Sequence, residues 1–422
     1  MNKDDYHPFY HFFILLTLCY SGLLWGFQLI SIVPHLLTYL AVTLTIFGAI
    51  VGGYSSDKYG RKSILLINSI LVCGALFLAY YTNNMITKII GLSFINFCSA
   101  VAIVNAICYI AEIAPADSRG RWITVMNLFV GVGILIAYIL HYLLPFYTKH
   151  AMDIRFVLLF IYNGLGLLAI CFIPESPRWL AINGQENLAT ILFKKINNKQ
   201  TINKELKYLL AVPNDTYHTW GSIFNSKHLI NTLLTLITIS IFILLTEVNS
   251  FLQFSLYILL KIGVNLRFDG ILLSISFISI YCCGVLASLF LIDKIGRRKL
   301  IMLSVGGMII AYLIFSIIIS LMANNNEQYI FELFLPFILI FFVASGTSTI
   351  LYLIMCEYFS TSIRAKGIAL MIIAITLTST LTKTTFIFLE HTIGFPGIYW
   401  LSTFFALIYL TLVMNFYQKQ KI

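Results

Sequence analysis

Four acid–arginine pairs recur in this chain at two repeated spacings, and a fifth pair stands apart. Asp57 and Arg61 sit in "DKYGRK" (57–62), and Asp293 and Arg297 in "DKIGRRK" (293–299). Glu112 stands seven residues before Arg119, and Glu357 seven before Arg364. Glu175 and Arg178 share the string "PESPRWL" (174–180). No nucleophile beside a base, no metal-ligand cluster and no phosphate-cradling loop accompanies them, which argues against an enzyme and predicts no metal or other cofactor. What these residues contribute is charge itself, by pairing or by setting topology. Two further ionisable groups, Glu247 and Lys383, fall inside apolar runs, where a charge is costly unless it is paired or hydrated.

The elements that must carry these charges follow from composition. Hydrophobic residues make up 59% of the 422, charged ones only 10%, and the mean hydropathy is +0.91. There are too few polar residues to cover a water-soluble surface, so lipid is the expected solvent. Runs long enough to cross about 30 Å of hydrocarbon occur at 10–33, 36–56, 63–82, 86–110, 122–145, 155–173, 229–257, 270–292, 300–322, 332–356, 367–389 and 398–417. Backbone groups find no water in lipid, so these runs are expected to be helices. The first is too long for a signal peptide and is expected to remain as a span.

With the amino terminus inside, all the basic residues except Lys88, Lys149, Arg155, Lys261, Arg267 and Lys383 fall on the cytoplasmic side. The bias predicts that both termini are cytoplasmic. The net charge of +10 then reflects topology and attraction to anionic inner-leaflet lipid, with no nucleic-acid partner required. All eight cysteines lie in predicted spans without metal-ligand spacing, so no disulfide framework follows. The polar stretch from about Asn183 to Lys227 divides six spans from six, and reads as a linker with short amphipathic surface helices. The expected organisation is all-α: a six-helix bundle (1–180), a cytoplasmic linker (181–228) and a second six-helix bundle (229–422) related to the first by internal repeat.

The repeat is the strongest internal signal. "DKYGRK" and "DKIGRRK" each join the second and third spans of a half, and the Glu112/Arg119 and Glu357/Arg364 spacings each follow a fourth span. A parallel duplication of six spans is a transporter-like architecture, with substrate near mid-membrane between the halves. The loop from Gly53 to Lys62 resembles the major facilitator superfamily motif. "YIAEIAPADSRGR" (109–121), "PESPRWL" and "EYFSTSIRAKG" (357–367) resemble signatures of its sugar porter family. The resemblance runs from the first span to the last.

It implies a network at the cytoplasmic helix ends in which Asp57, Glu112, Glu175, Asp293 and Glu357 pair with Arg61, Arg119, Arg178, Arg297 and Arg364 when an inner gate is shut. Such pairs form in one conformation and rehydrate in another. The resemblance also implies a substrate site at Gln28, Asn127, Asn249, Tyr281 and Tyr352. Several family positions are altered: Gln28 in "WGFQ" stands where proton-coupled members carry an acid, and a glutamine binds no proton at physiological pH. On the seventh span a glutamine pair becomes Ile243 and Leu244, and Ala344 and Ile375 replace polar residues further on. Asn105, Gln253 and the "TLTSTLTKTT" run (376–385) offer polar atoms in compensation, although such hydroxyls usually bond their own backbone.

The expectation is an alternating-access carrier of a sugar, a hexose, working by uniport rather than proton symport, as a monomer in the plasma membrane. Its partners are the small-molecule substrate and the lipid bilayer. The alternatives are a carrier of another small polar solute on the same fold, or a transport-inactive sensor.

Overall fold

The structure is a computed structural model and describes residues 8–28, 35–81, 85–115, 118–147, 151–196, 227–245, 269–321, 328–357, 359 and 363–419. In chain order the helices are α1 (Pro8–Gln28), α2 (His35–Tyr59), α3 (Arg61–Tyr81), α4 (Met85–Ile113), α5 (Arg119–Tyr147), α6 (Ala151–Phe172), α7 (Pro177–Ile182) and α8 (Glu186–Ile196). The later ones are α9 (Lys227–Leu245), α10 (Asp269–Ile295), α11 (Arg297–Leu321), α12 (Gln328–Phe342), α13 (Ser348–Glu357) and α14 (Arg364–Lys419). A π-helical turn, Val343–Thr347, joins α12 to α13. Within α14, Gly394 has φ +66° and Pro396 follows, so the eleventh and twelfth predicted spans meet there at a kink. Among the described residues eleven stretches are long and apolar enough to cross a membrane, and Leu233–Phe242 is a shorter apolar one.

The helices pack as two compact units. The first takes residues up to Val130, Met152–Ile230 and Met355–Ile372. Its centre is α4, where every residue from Cys98 to Ala114 is buried. No apolar driving force separates helix from lipid, so close approach depends on small residues that let dispersion contacts accumulate. Gly48 and Gly52 form such a stripe on α2: a Cβ at Gly48 would lie 2.3 Å from the Phe97 carbonyl oxygen of α4. Gly22 and Gly26 do the same for α1 against Met126 and Val130 of α5. Leu24, Val72, Leu76, Ile95, Cys98 and Phe156 fill the core between α1, α3, α4 and α6.

One polar knot ties α1, α3 and α6. The Tyr20 hydroxyl donates to Asn163 Oδ1, while Asn163 Nδ2 donates to the Ser69 carbonyl at 2.8 Å and contacts Cys73 Sγ at 3.0 Å. Each buried amide atom is thereby satisfied, as a low-dielectric interior demands. On the outer face of α6, Val157, Phe160, Ile161, Leu165 and Leu168 are exposed, a surface suited to lipid rather than water.

The second unit takes Gly131–Ala151, Asn231–Ile354 and the chain from Ile373 onward. Phe277, Met308, Tyr312, Leu339, Phe386 and Tyr399 form its core. The π turn is held from α11: Ser304 Oγ donates to the Phe342 carbonyl at 2.6 Å and accepts from the Thr347 amide at 3.3 Å. Wide turns release carbonyls from the helical ladder, and side-chain hydroxyls recover them here. Thr347 bonds the Val343 carbonyl at 2.9 Å, and Thr349 the Ala344 carbonyl at 3.1 Å. Gly284 of α10 and Gly346 of the π turn leave room for these close contacts. In the 376–385 run, Thr378, Thr380, Thr382, Thr384 and Thr385 bond carbonyls three or four residues back, as expected from their types.

The glycine contacts give a direct test. Gly48→Ala should lower the melting temperature of the detergent-purified protein, because overpacking against backbone costs about 1–3 kcal/mol. Gly74→Ala, with no atom within 4 Å of the new Cβ, should leave it unchanged or raise it.

Candidate functional site

Arg61 is the hub of the charged site. The helix before it ends at Tyr59, and Gly60, at φ +91°, turns the chain so that Arg61 opens α3. Its side chain is fully buried. A guanidinium there must be solvated entirely by protein, and its planar fork suits several acceptors at once. Nη2 lies 2.8 Å from Glu112 Oε1 and 3.5 Å from Asp57 Oδ1, and Nη1 donates to the Ser56 carbonyl at 3.1 Å. Asp57 is held in turn by Lys366, from the first turn of α14. Two cations and two anions are thus buried together with no net charge, which removes most of the cost of placing any one of them there.

The segment 174–179 is pinned around this hub almost residue by residue. The Tyr109 hydroxyl donates to the Pro174 carbonyl. Glu175 Oε1 accepts the amides of Arg61 and Lys62 at 2.8 and 3.0 Å, so a carboxylate caps the positive end of α3. A Cβ on Gly60 would lie 2.5 Å from Glu175 Oε2, a second reason for glycine at that turn. Ser176 caps α7 and donates its hydroxyl to Glu112 Oε2. Pro177 is the first residue of α7, a position without need of an amide hydrogen. Trp179 Nε1 donates to the Asp57 carbonyl at 2.9 Å. Gly53 brings the start of α14 close, since a Cβ there would meet Ala369 Cβ at 3.0 Å and the Ala365 carbonyl at 3.1 Å.

The structure therefore gathers Asp57, Arg61, Glu112 and Glu175 into one cluster. Glu112 is bound by Arg61 and Ser176, whereas Arg119, at the start of α5, donates to the Ala114 carbonyl at 3.3 Å. Arg364 is buried at the head of α14, and its Nε and Nη1 meet no hydrogen-bond acceptor among the described residues. Arg178 lies partly buried on α7, and Glu357 closes α13. Asp293 and Arg297 flank Gly296, which repeats the left-handed turn at φ +84°, but both side chains are exposed. Sequence reasoning did not include Lys366, Ser56, Ser176, Tyr109 or Trp179. The legible signal for Lys366 was its place two residues after Arg364, between Ala365 and Gly367, whose small size admits a neighbouring helix.

Of the residues expected to hold substrate, Gln28 ends α1, and Asn127 is fully buried on α5 in the first unit. In the second unit the Tyr281 hydroxyl of α10 lies 3.4 Å from Ser348 Oγ at the start of α13, and its ring abuts Gly131. Tyr352 is one turn beyond Ser348. Asn249 and Glu247 lie outside the described residues, and Lys383 falls within α14.

A double-mutant cycle checks the hub. Glu112→Gln and Arg61→Met should each destabilise the purified protein by about 3–5 kcal/mol, because each strands a buried charge. The double variant should lose much less than the sum, measured as unfolding in denaturing detergent. Additive losses would mean that the two groups do not sense each other.

The comparisons with known proteins agree with this architecture. The family model described as "Sugar (and other) transporter" matches residues 30–422. The glucose transporter GlcP of Staphylococcus epidermidis is 30% identical over 343 residues, covering 80% of this chain and 75% of the relative. The D-xylose transporter of Levilactobacillus brevis is 27% identical over 334 residues, covering 77% and 72%. Among solved structures, the proton:xylose symporter XylE bound to 6-bromo-6-deoxy-D-glucose superposes with a TM-score of 0.82 at 20% identity, covering 97% of this chain and 96% of that one. The matched family is one of transporters rather than of enzymes. This chain belongs to the family described as sugar (and other) transporters.

Proposed function

We propose that the protein is a facilitative carrier that moves a hexose across the plasma membrane by alternating access, with both termini in the cytoplasm and one chain as the functional unit. The observation that carries the uniport reading is Gln28 at the end of α1, since an amide at that position cannot pick up and release a proton. It is supported by the buried acids of the charged site, Asp57 and Glu112, which are both engaged by cations. The glucose transporter relative at 30% identity supports hexose.

In this reading the residues 1–180 and 229–422 work as two halves. The cluster of Asp57, Arg61, Glu112 and Glu175, extended by Lys366, is the part of the inner gate that holds when that face is closed. Lys366 belongs to the second half of the sequence and Asp57 to the first, so opening must separate them and let both charges rehydrate. Arg119, Arg178, Glu357, Arg364, Asp293 and Arg297 complete the network in other stages of the cycle. Asn127 and Asn249 bond the sugar hydroxyls, and Tyr352 supplies an apolar ring face. Asn105 joins them, because its buried Oδ1 has no partner among the described residues while its Nδ2 donates to the Val101 carbonyl. A second reading, a smaller polar solute such as a polyol, is favoured by Ile243, Leu244, Ala344 and Ile375, which remove acceptors and donors that a hexose would use.

Uptake of labelled sugars into liposomes carrying the purified protein tests the coupling. Saturable glucose entry should be the same with and without an inward proton gradient. Uphill accumulation abolished by a protonophore would overturn uniport, and saturable entry of polyols but not hexoses would select the second reading. The binding residues have their own test: Asn127→Ala and Asn249→Ala should each weaken apparent affinity about two- to tenfold. Unchanged affinity with a lowered melting temperature would assign both to packing.

A further inference from the structure

The eleven residues of α8 carry apolar side chains over more of the helix circumference than the protein covers. Ala189, Phe193 and Ile196 are buried, and Ala189 and Phe193 pack against Leu180 and Ala181 of α7. Leu188 and Ile191, one turn apart, remain 53% and 47% exposed. Lys195 continues that stripe one turn further on, and its Nζ sits 4.6 Å from the ring centroid of Tyr10. The Tyr10 hydroxyl donates in turn to the Phe172 carbonyl, the last residue of α6, at 3.4 Å. The stripe therefore runs directly onto the ends of two membrane spans, where Phe9 and Phe172 are largely exposed.

The geometry points to α8 as an interfacial helix that docks on the headgroup layer of the bilayer, with Leu188 and Ile191 in the upper acyl region and Lys194 and Lys195 on anionic phospholipid headgroups. Continuity identifies the occupant: the exposed apolar surface that Leu188 and Ile191 extend belongs to α1 and α6, and that surface is already solvated by lipid. Charge supports it as well. At 100° per residue Lys194 and Lys195 flank Ile191 on either side, so a helix that seats Ile191 in the interface brings both ammonium groups to the phosphates. Glu186 projects from the opposite side, away from that layer. An apolar face bordered by lysines is the arrangement by which helices lie in an interface rather than cross it.

Photocrosslinking tests the docking on the full chain in liposomes of phosphatidylcholine and phosphatidylglycerol. A p-benzoylphenylalanine at position 191 should yield lipid adducts severalfold above those from the same probe at position 186. Phosphatidylglycerol should be enriched in the adducts about fivefold over its share of the bilayer, as expected for a lysine near the headgroups. Lys194→Gln/Lys195→Gln should return that ratio toward bulk while leaving the adducts in place. Adducts only to protein, from another segment or a second copy, would overturn the proposal, as would equal lipid yields at positions 191 and 186. Lipid adducts in the bulk ratio would overturn its anionic part.

Discussion

A guanidinium removed from water must find its solvation in protein, and the position of Arg61 turns that demand into an organising constraint. Its two terminal nitrogens reach Glu112 on α4, Asp57 and the Ser56 carbonyl on α2, while its own amide opens α3 onto Glu175. Three spans and the segment after the sixth are thereby held in one geometry. The apolar contacts of the first unit are plentiful but permissive, since lipid competes with them on nearly equal terms. Directional bonds to a buried charge are not interchangeable in this way, and they define where each helix end must stop.

The internal repeat is preserved in backbone more faithfully than in chemistry. Gly60 and Gly296 adopt the same left-handed turn, each between an Asp-Lys pair and a basic cluster. At Gly60 the space beside the Cα is filled by a carboxylate, whereas nothing lies within 4 Å at Gly296. Asp57 and Arg61 are buried, and Asp293 and Arg297 are exposed. The duplicated turn is thus one scaffold used twice, with the buried charge cluster built on only one copy.

Much of this was legible before the coordinates. Hydropathy located the spans, because lipid imposes length and composition on every helix that crosses it. Spacing singled out Asp57, Arg61 and Glu112, the family resemblance added Glu175, and the structure brings the four together. Spacing could not say that Glu112 would turn to Arg61 rather than to Arg119, because partner choice depends on which helix ends the packing brings together. Lys366 was harder to find for the same reason, since its partner stands 309 positions away and its one local mark is the small residue on either side. The roles of Ser176 and Trp179 are backbone-directed, capping a short helix and grasping a carbonyl, and many residue types announce neither. The kink at Gly394 is marked by the glycine itself and by the proline two residues on, whereas the π turn has no comparable mark in sequence.

The π turn Val343–Thr347 re-aims the second part of the tenth span. A turn that holds an extra residue sets every later side chain back by about 100° around the axis relative to an unbroken α-helix. Faces counted at 3.6 residues per turn from Gln328 therefore lose phase at Val343, and Ser348 and Tyr352 point a quarter-turn or more away from where uninterrupted periodicity would aim them. Because Ser304 of α11 fastens the carbonyl and the amide on either side of the widened turn, the azimuth of the whole α13 segment is set by a neighbouring helix.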